Sequence, residues 1–438
     1  MSLSTSVSEI ERSTMRTVIW RIVPFLMVCY FIAFVDRVNA GFAALQMNQD
    51  IGLSPAAFGL GGGLFYITYV LFEIPSNIAM EKVGARLWIA RILVTWGLVS
   101  GCMAFVVGPY SFYAVRLLLG AAEAGFFPGV ILYLTYWFPR EYRGRIVAIF
   151  MVAIPVSSFL GSPISAALLQ MDGWMGYRGW QWMFVLEAVP AVLLGVLALA
   201  ILPNGPNRAS WLSGEQQAWL QQRLKAERAS PGQATAKHLS LWQVLSSKYV
   251  LAASLIYAGA SGASQCLSLW QPQIIKSFGL TNMQTGVLNM IPFGIASVLM
   301  VLWGRSSDAR RERVWHTGIP LALLAGSLIL ATLVSSLAPT ILILCMAVTA
   351  TYIVKGPFWA LSTEWLSVGA AAAGIAQINA IGNVGGFVGT TLLGVIKDAT
   401  GSYPLGLLPL ALLSGIGCLL VLMLGASRAG EMTASPAE

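Results

Sequence analysis

Residues 18–39 read VIWRIVPFLMVCYFIAFVDRVN, an apolar run broken only by Arg21 at its start and by an adjacent acid and base, Asp36 and Arg37, near its end. About 20 apolar residues suffice for a helix to cross the hydrocarbon core of a bilayer. A charge at that depth costs about 3 kcal/mol or more, so such residues are rare and face an internal cavity or pathway. Runs of similar length recur at 56–79, 87–108, 110–137, 146–169, 181–202, 249–271, 286–304, 316–337, 340–362, 375–395 and 404–426. The chain is therefore expected to be an all-α integral membrane protein with twelve transmembrane helices. Its 438 residues are 57% hydrophobic and 10% charged, with mean hydropathy +0.74, far from a soluble globular domain.

The polar stretch 203–248 divides the windows six and six, predicting an N-terminal bundle at 1–202, a linker at 203–248 and a C-terminal bundle at 249–438. The linker contains Pro203, Pro206, Gly214, Pro231 and Gly232, and its charged run from Glu215 to Arg228 predicts one surface helix. Lys and Arg are retained on the cytoplasmic side of short loops. With both ends inside, basic residues crowd that side at 82–86, 140–145, the linker and 305–313, whereas only Arg178, Lys276 and Lys397 fall outside. This bias also accounts for the net charge of +8 without nucleic acid. The basic start, Arg12 to Arg21, imitates a secretory signal, but the run is too long and lacks a small-residue cleavage site, so a retained first helix is expected. The five cysteines, Cys29, Cys102, Cys266, Cys345 and Cys418, lie in apolar segments without paired spacing and read as small core residues.

The two halves repeat. After the second window stand Glu81, Arg86 and Trp88; after the eighth stand Asp308, Arg313 and Trp315, at one common offset. The fifth and eleventh windows add Gly161-Ser162-Pro163 against Gly389-Thr390-Thr391. Two similar bundles in one orientation suit rocking around a midplane site. The chain resembles the major facilitator superfamily, although Asn77 and Glu81 replace the glycine and aspartate of its loop motif and the second copy lacks the inner glycine. Asp36-Arg37, Glu73-Ile74-Pro75-Ser76-Asn77 and Arg116-x3-Gly120-x2-Glu123-x4-Pro128 resemble the anion:cation symporter family within it. Trp270-x-Pro272-Gln273 and Trp303-Gly304-Arg305 are most similar to its bacterial tartrate, phthalate and hydroxyphenylacetate permeases. That resemblance implies two six-helix bundles and uptake of a small organic carboxylate across the inner membrane by proton symport.

The residues support the same chemistry. A carboxylate leaving water needs a fixed cation, and the guanidinium fork of Arg37 or Arg116 holds one with two hydrogen bonds. Proton coupling needs acids close to those cations, and Asp36 and Glu123 are the candidates. Arg116 and Glu123 are two turns apart, on one helix face. The plainer reading is that these charges only pair with each other, Asp36 with Arg37 and Arg116 with Glu123, and pin the first and fourth helices together. Tyr66, Tyr69, Gln265, Ser268, Trp270, Trp359, Ser362, Asn379 and Asn383 either contact solute or join helices; Tyr69 and Asn383 are the preferred contacts. Lys355 either adds a third cation or pairs with Glu364. Glu73 and Glu187 read as capping or gating acids at helix ends. Glu81, Arg86, Asp308 and Arg313 are expected to latch one side of the molecule.

Several functions are disfavoured. Gly59-x-Gly61-Gly62-Gly63 and Gly382-x2-Gly385-Gly386-x2-Gly389 lie inside spans, where they permit close helix contact, and no Gly-x4-Gly-Lys-Ser/Thr phosphate loop exists. His238 and His316 read as solvated, without a metal-binding cluster. No nucleophile motif marks an enzyme, and no cofactor is expected beyond the proton as coupling ion. An uncoupled facilitator or anion exchanger for the same solutes stays open, and one chain with both halves suits a monomer.

Overall fold

The computed structural model describes residues 2–229, 241–365 and 371–434, which form helices, short 3-10 turns and loops, with no strand among them. Among the described residues twelve helices are long and apolar enough to cross a membrane: α1 (Glu9–Asp50), α2 (Pro55–Val83), α3 (Ala85–Phe105), α4 (Pro109–Thr135), α5 (Arg140–Met171), α6 (Gly179–Ile201), α7 (Lys248–Lys276), α8 (Asn282–Arg310), α9 (Val314–Leu333), α10 (Leu337–Trp365), α11 (Ala373–Thr400) and α12 (Tyr403–Ala426). Helices satisfy their own backbone groups, the requirement that lipid imposes on any spanning segment. Helix starts are capped where they leave the loops. Ser54 accepts from the Ala57 N–H before α2, and Thr281 and Gln284 form a reciprocal capping box before α8. Large apolar side chains such as Leu71, Leu193, Val196, Leu412 and Leu419 face outward, as lipid contact demands.

Helices α1–α6 and α7–α12 form two six-helix bundles that meet along α2 with α11, α5 with α8 and α1 with α7. Most of the seam lies away from the face carrying the termini. There glycines let helices touch: a methyl on Gly41 would strike the Leu269 carbonyl, one on Gly63 Phe387, and one on Gly286 the Ser162 carbonyl. Polar struts of the same region are the Ala56 N–H to Asp398 at 2.9 Å, Asn289 to Ser162 at 2.8 Å and Asn48 to Gln273 at 3.5 Å. Toward the terminal face, the Asn379 amide donates to both oxygens of Glu73, at 3.1 and 3.3 Å. Among the described residues no ion pair crosses from one bundle to the other. The bundles are thus held together by packing and neutral or singly charged hydrogen bonds.

The linker contributes a surface helix, Gly214–Ala229, tied to the N-terminal bundle by Glu227 with Arg140 and Arg143, at 3.1 and 3.0 Å, and by Arg223 with Glu141. Two expectations fail here. Cys102 is exposed rather than a core residue, because the α-helical part of α3 ends there and its last residues, Met103–Phe105, form a 3-10 turn. His316 is buried, 6% exposed, because the Glu312 carboxylate folds back over the start of α9 and bonds its Nδ1 at 2.7 Å while Ser306 reaches Nε2 at 3.2 Å. His238 lies outside the described residues.

Candidate functional site

Two helix irregularities shape the centre of the molecule. Helix α4 breaks directly after Glu123: Ala124 leaves the helix and Gly125 adopts φ +83°, a conformation that suits glycine. Helix α10 is interrupted at Val354, between Ile353 and Lys355.

Asp36 and Arg37 are neighbours in α1 but point to different helices. The Arg37 guanidinium pairs with Glu123 of α4, with Nη2 at 2.5 Å and Nε at 2.7 Å from Oε1. It is also ringed by Phe34, Phe65 and Tyr69, whose centroids lie 4.8, 5.5 and 5.2 Å from its central carbon. Aromatic faces stabilise a cation with little solvent. Asp36, in contrast, accepts only from neutral donors: Trp96 Nε1 at 2.5 Å, Ser100 Oγ at 2.5 Å and Asn39 Nδ2 at 2.8 Å. It makes no ion pair among the described residues. Asp36 and Arg37 thus do not pair with each other, but the Arg37–Glu123 pair does join α1 to α4, as the plainer reading expects.

Arg116 does not pair with Glu123 either. It donates to the backbone carbonyls of Gly61 and Gly62, at 3.3 and 3.1 Å, and stacks over Phe65 at 5.0 Å. Glycine makes this possible by leaving those carbonyls uncovered. Asp36, Arg37, Phe65, Tyr66, Arg116, Leu119 and Glu123 line one cavity of about 10 Å³, scarcely space for a single water.

The facing bundle supplies amides. Gln265 of α7 donates to Asn383 of α11 at 3.0 Å, and Asn383 donates to the Asn379 carbonyl at 3.1 Å. The buried Oε1 of Gln265 has no partner among the described residues. Trp359 packs on Tyr257 and Phe358, with centroids 4.9 and 5.4 Å apart. Lys355 makes no ion pair among the described residues; its Nζ sits 4.4 Å over the Tyr352 ring, while Glu364 lies 4.0 Å from Arg313.

A sequence profile of the Major Facilitator Superfamily matches residues 26–390. The chain belongs to that superfamily. It is 49% identical to a protein of Agrobacterium vitis named "Putative tartrate transporter", over 95% of this chain and 96% of that one. It is also 40% identical to a "Quinolone resistance transporter" of Acinetobacter baumannii, over 97% and 98% of the two chains. The crystal structure of a bacterial homolog to the human lysosomal transporter Spinster superposes with TM-score 0.75 at 16% identity, covering 95% of this chain and 98% of that one, a likeness of fold. This superfamily member is a multi-pass transporter and not an enzyme.

The repeated loops of the superfamily fold differ between the halves. In the second, Arg313 bonds Asp308 at 2.7 Å and Ser307 at 2.8 Å. In the first, Glu81 and Arg86 are exposed and make no ion pair among the described residues; the Arg86 N–H instead meets Asn204 at 3.0 Å. None of the four reaches the opposite bundle.

Glu187 corrects a sequence expectation. It lies two turns inside α6 rather than at a helix end, buried, with Oε1 accepting from Ser165 of α5 at 2.7 Å and Oε2 without a partner among the described residues. Glu73 likewise lies well inside α2, where it bonds Asn379 of the other bundle. Trp96 and Ser100, one turn apart on α3, and Asn39, one turn after Asp36, are further partners of the site that were not expected from the sequence. Only Asn39 left a local signal, its i+3 spacing from the acid.

Proposed function

We propose that this protein imports a small organic carboxylate, aromatic or a hydroxy acid, across the bacterial inner membrane together with protons, by alternating access. The supporting observation is the Arg37–Glu123 pair, closed over a cavity too small for the solute. A proton on Glu123 releases Arg37, and the substrate carboxylate takes its place, meeting Nε and Nη2 with two oxygens where Glu123 uses only Oε1. Asp36, held by three neutral donors, is the second proton acceptor. Arg116 fixes the wall of α2 against α4 and meets the anion when its carbonyl partners yield. Tyr69, Gln265, Asn383 and Trp359 supply the hydroxyl, amide and ring contacts around the rest of the solute. On this reading both termini are cytoplasmic, in keeping with the basic loops, and the seam away from the termini closes the outer side. Glu81, Arg86, Asp308 and Arg313 then latch the inner side in the opposite state. One chain, holding both bundles, works as a monomer.

The name of the Agrobacterium relative favours an organic acid, and the name of the Acinetobacter relative provides the rival solute class. Uptake into proteoliposomes with an inside-alkaline gradient decides between them, with labelled hydroxy acids, aromatic carboxylates and a fluoroquinolone offered in parallel. Gradient-stimulated uptake of an acid that is lost in both Asp36→Asn and Arg37→Ala is the expected result. Uptake indifferent to the gradient and to Asp36→Asn leaves a facilitator or exchanger, and transport of the fluoroquinolone alone overturns the organic-acid reading.

A further inference from the structure

Glu187 of α6 is 7% exposed and makes no ion pair among the described residues. Its Oε1 takes one hydrogen bond, from Ser165 of α5 at 2.7 Å, and its buried Oε2 takes none among them. Buried polar atoms are almost always partnered, so an unpartnered oxygen on a buried acid calls for a role. The groups beside it form a polar column along α1. Asp50, Gln46, Asn39 and Asp36 share one face of that helix, at spacings of four, seven and three residues. At the end of α1 away from the termini, Asp50 binds Arg178 at 2.7 Å and Trp180 Nε1 at 2.8 Å, and Gln46 accepts from the Trp180 N–H at 3.1 Å. These bonds fix the register of α1 against α6, which runs the opposite way. Seven residues inward from Gln46 stands Asn39, and seven residues inward from Trp180 stands Glu187, so both lie two turns deep at one level. The Asn39 amide donates to Asp36, one turn deeper still, at 2.8 Å.

At 1.5 Å per residue, Glu187 is about 12 Å along α6 from Gly179, whereas Asp36 is about 21 Å along α1 from Asp50. Glu187 is therefore the shallower of the two acids on the side away from the termini. Asp36 and Asn39 face it from α1 and Ser165 from α5, while α3 lays Gly97 and Gly101 against the neighbouring Ala191 and Ala188. Ser165 lies on α5 between Ser162 and Ala166, which meet Asn289 and Gly286 of α8, so parting that seam moves the helix that covers Glu187. We propose that Glu187 is a proton carrier of the transport cycle, placed on the outer side of Asp36 and loading it. An external proton binds Oε2. That O–H bond then breaks as one forms on Oδ1 of Asp36, through an intervening water, and the Glu187 carboxylate takes the next proton from outside. Ser100, whose hydroxyl can donate or accept, accommodates the new O–H of Asp36. This rests on the coupling role of Asp36 given above and deepens it. A mere tie between α5 and α6 would need no acid, since a glutamine carbonyl accepts equally from Ser165.

The test measures gradient-driven uptake and counterflow in proteoliposomes of the wild type, Glu187→Gln, Glu187→Asp, Ser165→Ala and Asp36→Asn, using the labelled hydroxy acid or aromatic carboxylate that the wild type imports. Glu187→Gln should slow gradient-driven uptake on the order of a hundredfold, as for loss of a positioned proton-transfer group. It should also flatten the dependence of uptake on external pH and leave counterflow nearly unchanged. Glu187→Asp should recover part of the pH response. Ser165→Ala, which removes the hydrogen bond and keeps the acid, should follow the pH profile of the wild type. Wild-type coupling in Glu187→Gln beside impaired coupling in Asp36→Asn overturns the proposal and leaves the role of Asp36 standing. An equal loss in Ser165→Ala, or a Glu187→Gln protein that fails to fold or loses counterflow as well, identifies a structural tie and overturns it too. Gradient-driven uptake that survives Asp36→Asn, or a wild type that imports no acid of the panel, overturns both readings.

Discussion

The N-terminal bundle buries Asp36, Arg116, Glu123 and Glu187, while the inner helices of the C-terminal bundle present Gln265, Gln271, Asn289, Asn379 and Asn383 together with the half-buried Lys355. The two halves share one architecture yet divide the chemistry unequally. A carboxylate changes its donor and acceptor character when it takes a proton, whereas an amide keeps one donor end and one acceptor end throughout. The lesson is that a duplicated fold permits one copy to bury carboxylates inside its spans and the other to place amides at the corresponding depth. On the proposed function, protons and the anion's carboxylate are handled by the first bundle, and the second bundle reads the remainder of the solute.

The largest break in this asymmetry is Arg37→Ala. Uptake should fall at least a hundredfold, and the buried Glu123 left without its cation should cost about 3–5 kcal/mol of stability. Adding Glu123→Gln should recover the stability, followed by thermal denaturation in detergent, without recovering uptake. A double variant that transports normally shows that the arginine only ties α1 to α4.

Asp36→Asn is expected to be gentler on the fold and selective for coupling. The asparagine oxygen still accepts from Trp96 or Ser100, so stability should change by about 1 kcal/mol, while stimulation by a proton gradient falls about tenfold or more. Parallel measurement of gradient-driven uptake and of counterflow separates the two: counterflow that persists while gradient-driven uptake is lost identifies a coupling role.

Gly125→Ala tests how the break in α4 positions Glu123. A left-handed backbone costs a non-glycine residue about 1–2 kcal/mol, and the new methyl would collide with Ser76. Lower melting temperature together with weakened uptake is expected; unchanged uptake detaches the break from the site.

The smallest effect belongs to the second bundle, outside the membrane. Burial raises the Glu312 carboxyl, but bonds from the His316 ring and from the Trp315 and His316 N–H groups outweigh it and hold the group below the usual carboxylate range. Its contribution is therefore complete above a pH of about 4.5 and disappears as the pH falls through the lower value of the folded state. Glu312→Gln should cost about 1 kcal/mol at neutral pH, as expected for a lost helix cap, and the difference from wild type should shrink in acid. A difference that grows in acid contradicts this sign.

The fold was legible because lipid imposes a length and an apolarity on every span, and twelve windows satisfy both. The acids and arginines were legible because charge is conspicuous in an apolar run. Their pairings were not. Residues adjacent in sequence, Asp36 and Arg37, diverge onto α3 and α4, since successive positions of a helix project about 100° apart. Arg116 takes backbone carbonyls as partners, and a carbonyl has no sequence signature beyond the glycine that uncovers it. Glu187 looked like a helix-end residue because the hydrophobic window begins at 181, close to it. Its partner Ser165 belongs to another helix, and one sequence has no record of contacts between helices.

The seam between the bundles contains no ion pair among the described residues. Mobile ions screen interactions between charges and leave packing and hydrogen bonds largely untouched. The closed seam of this state should therefore respond little to ionic strength, unlike the charged latch proposed for the opposite state. It should instead respond to whatever alters the lateral squeeze on the helices, such as acyl-chain length and cholesterol-like stiffeners, making the surrounding lipid a mechanical partner in every transport cycle.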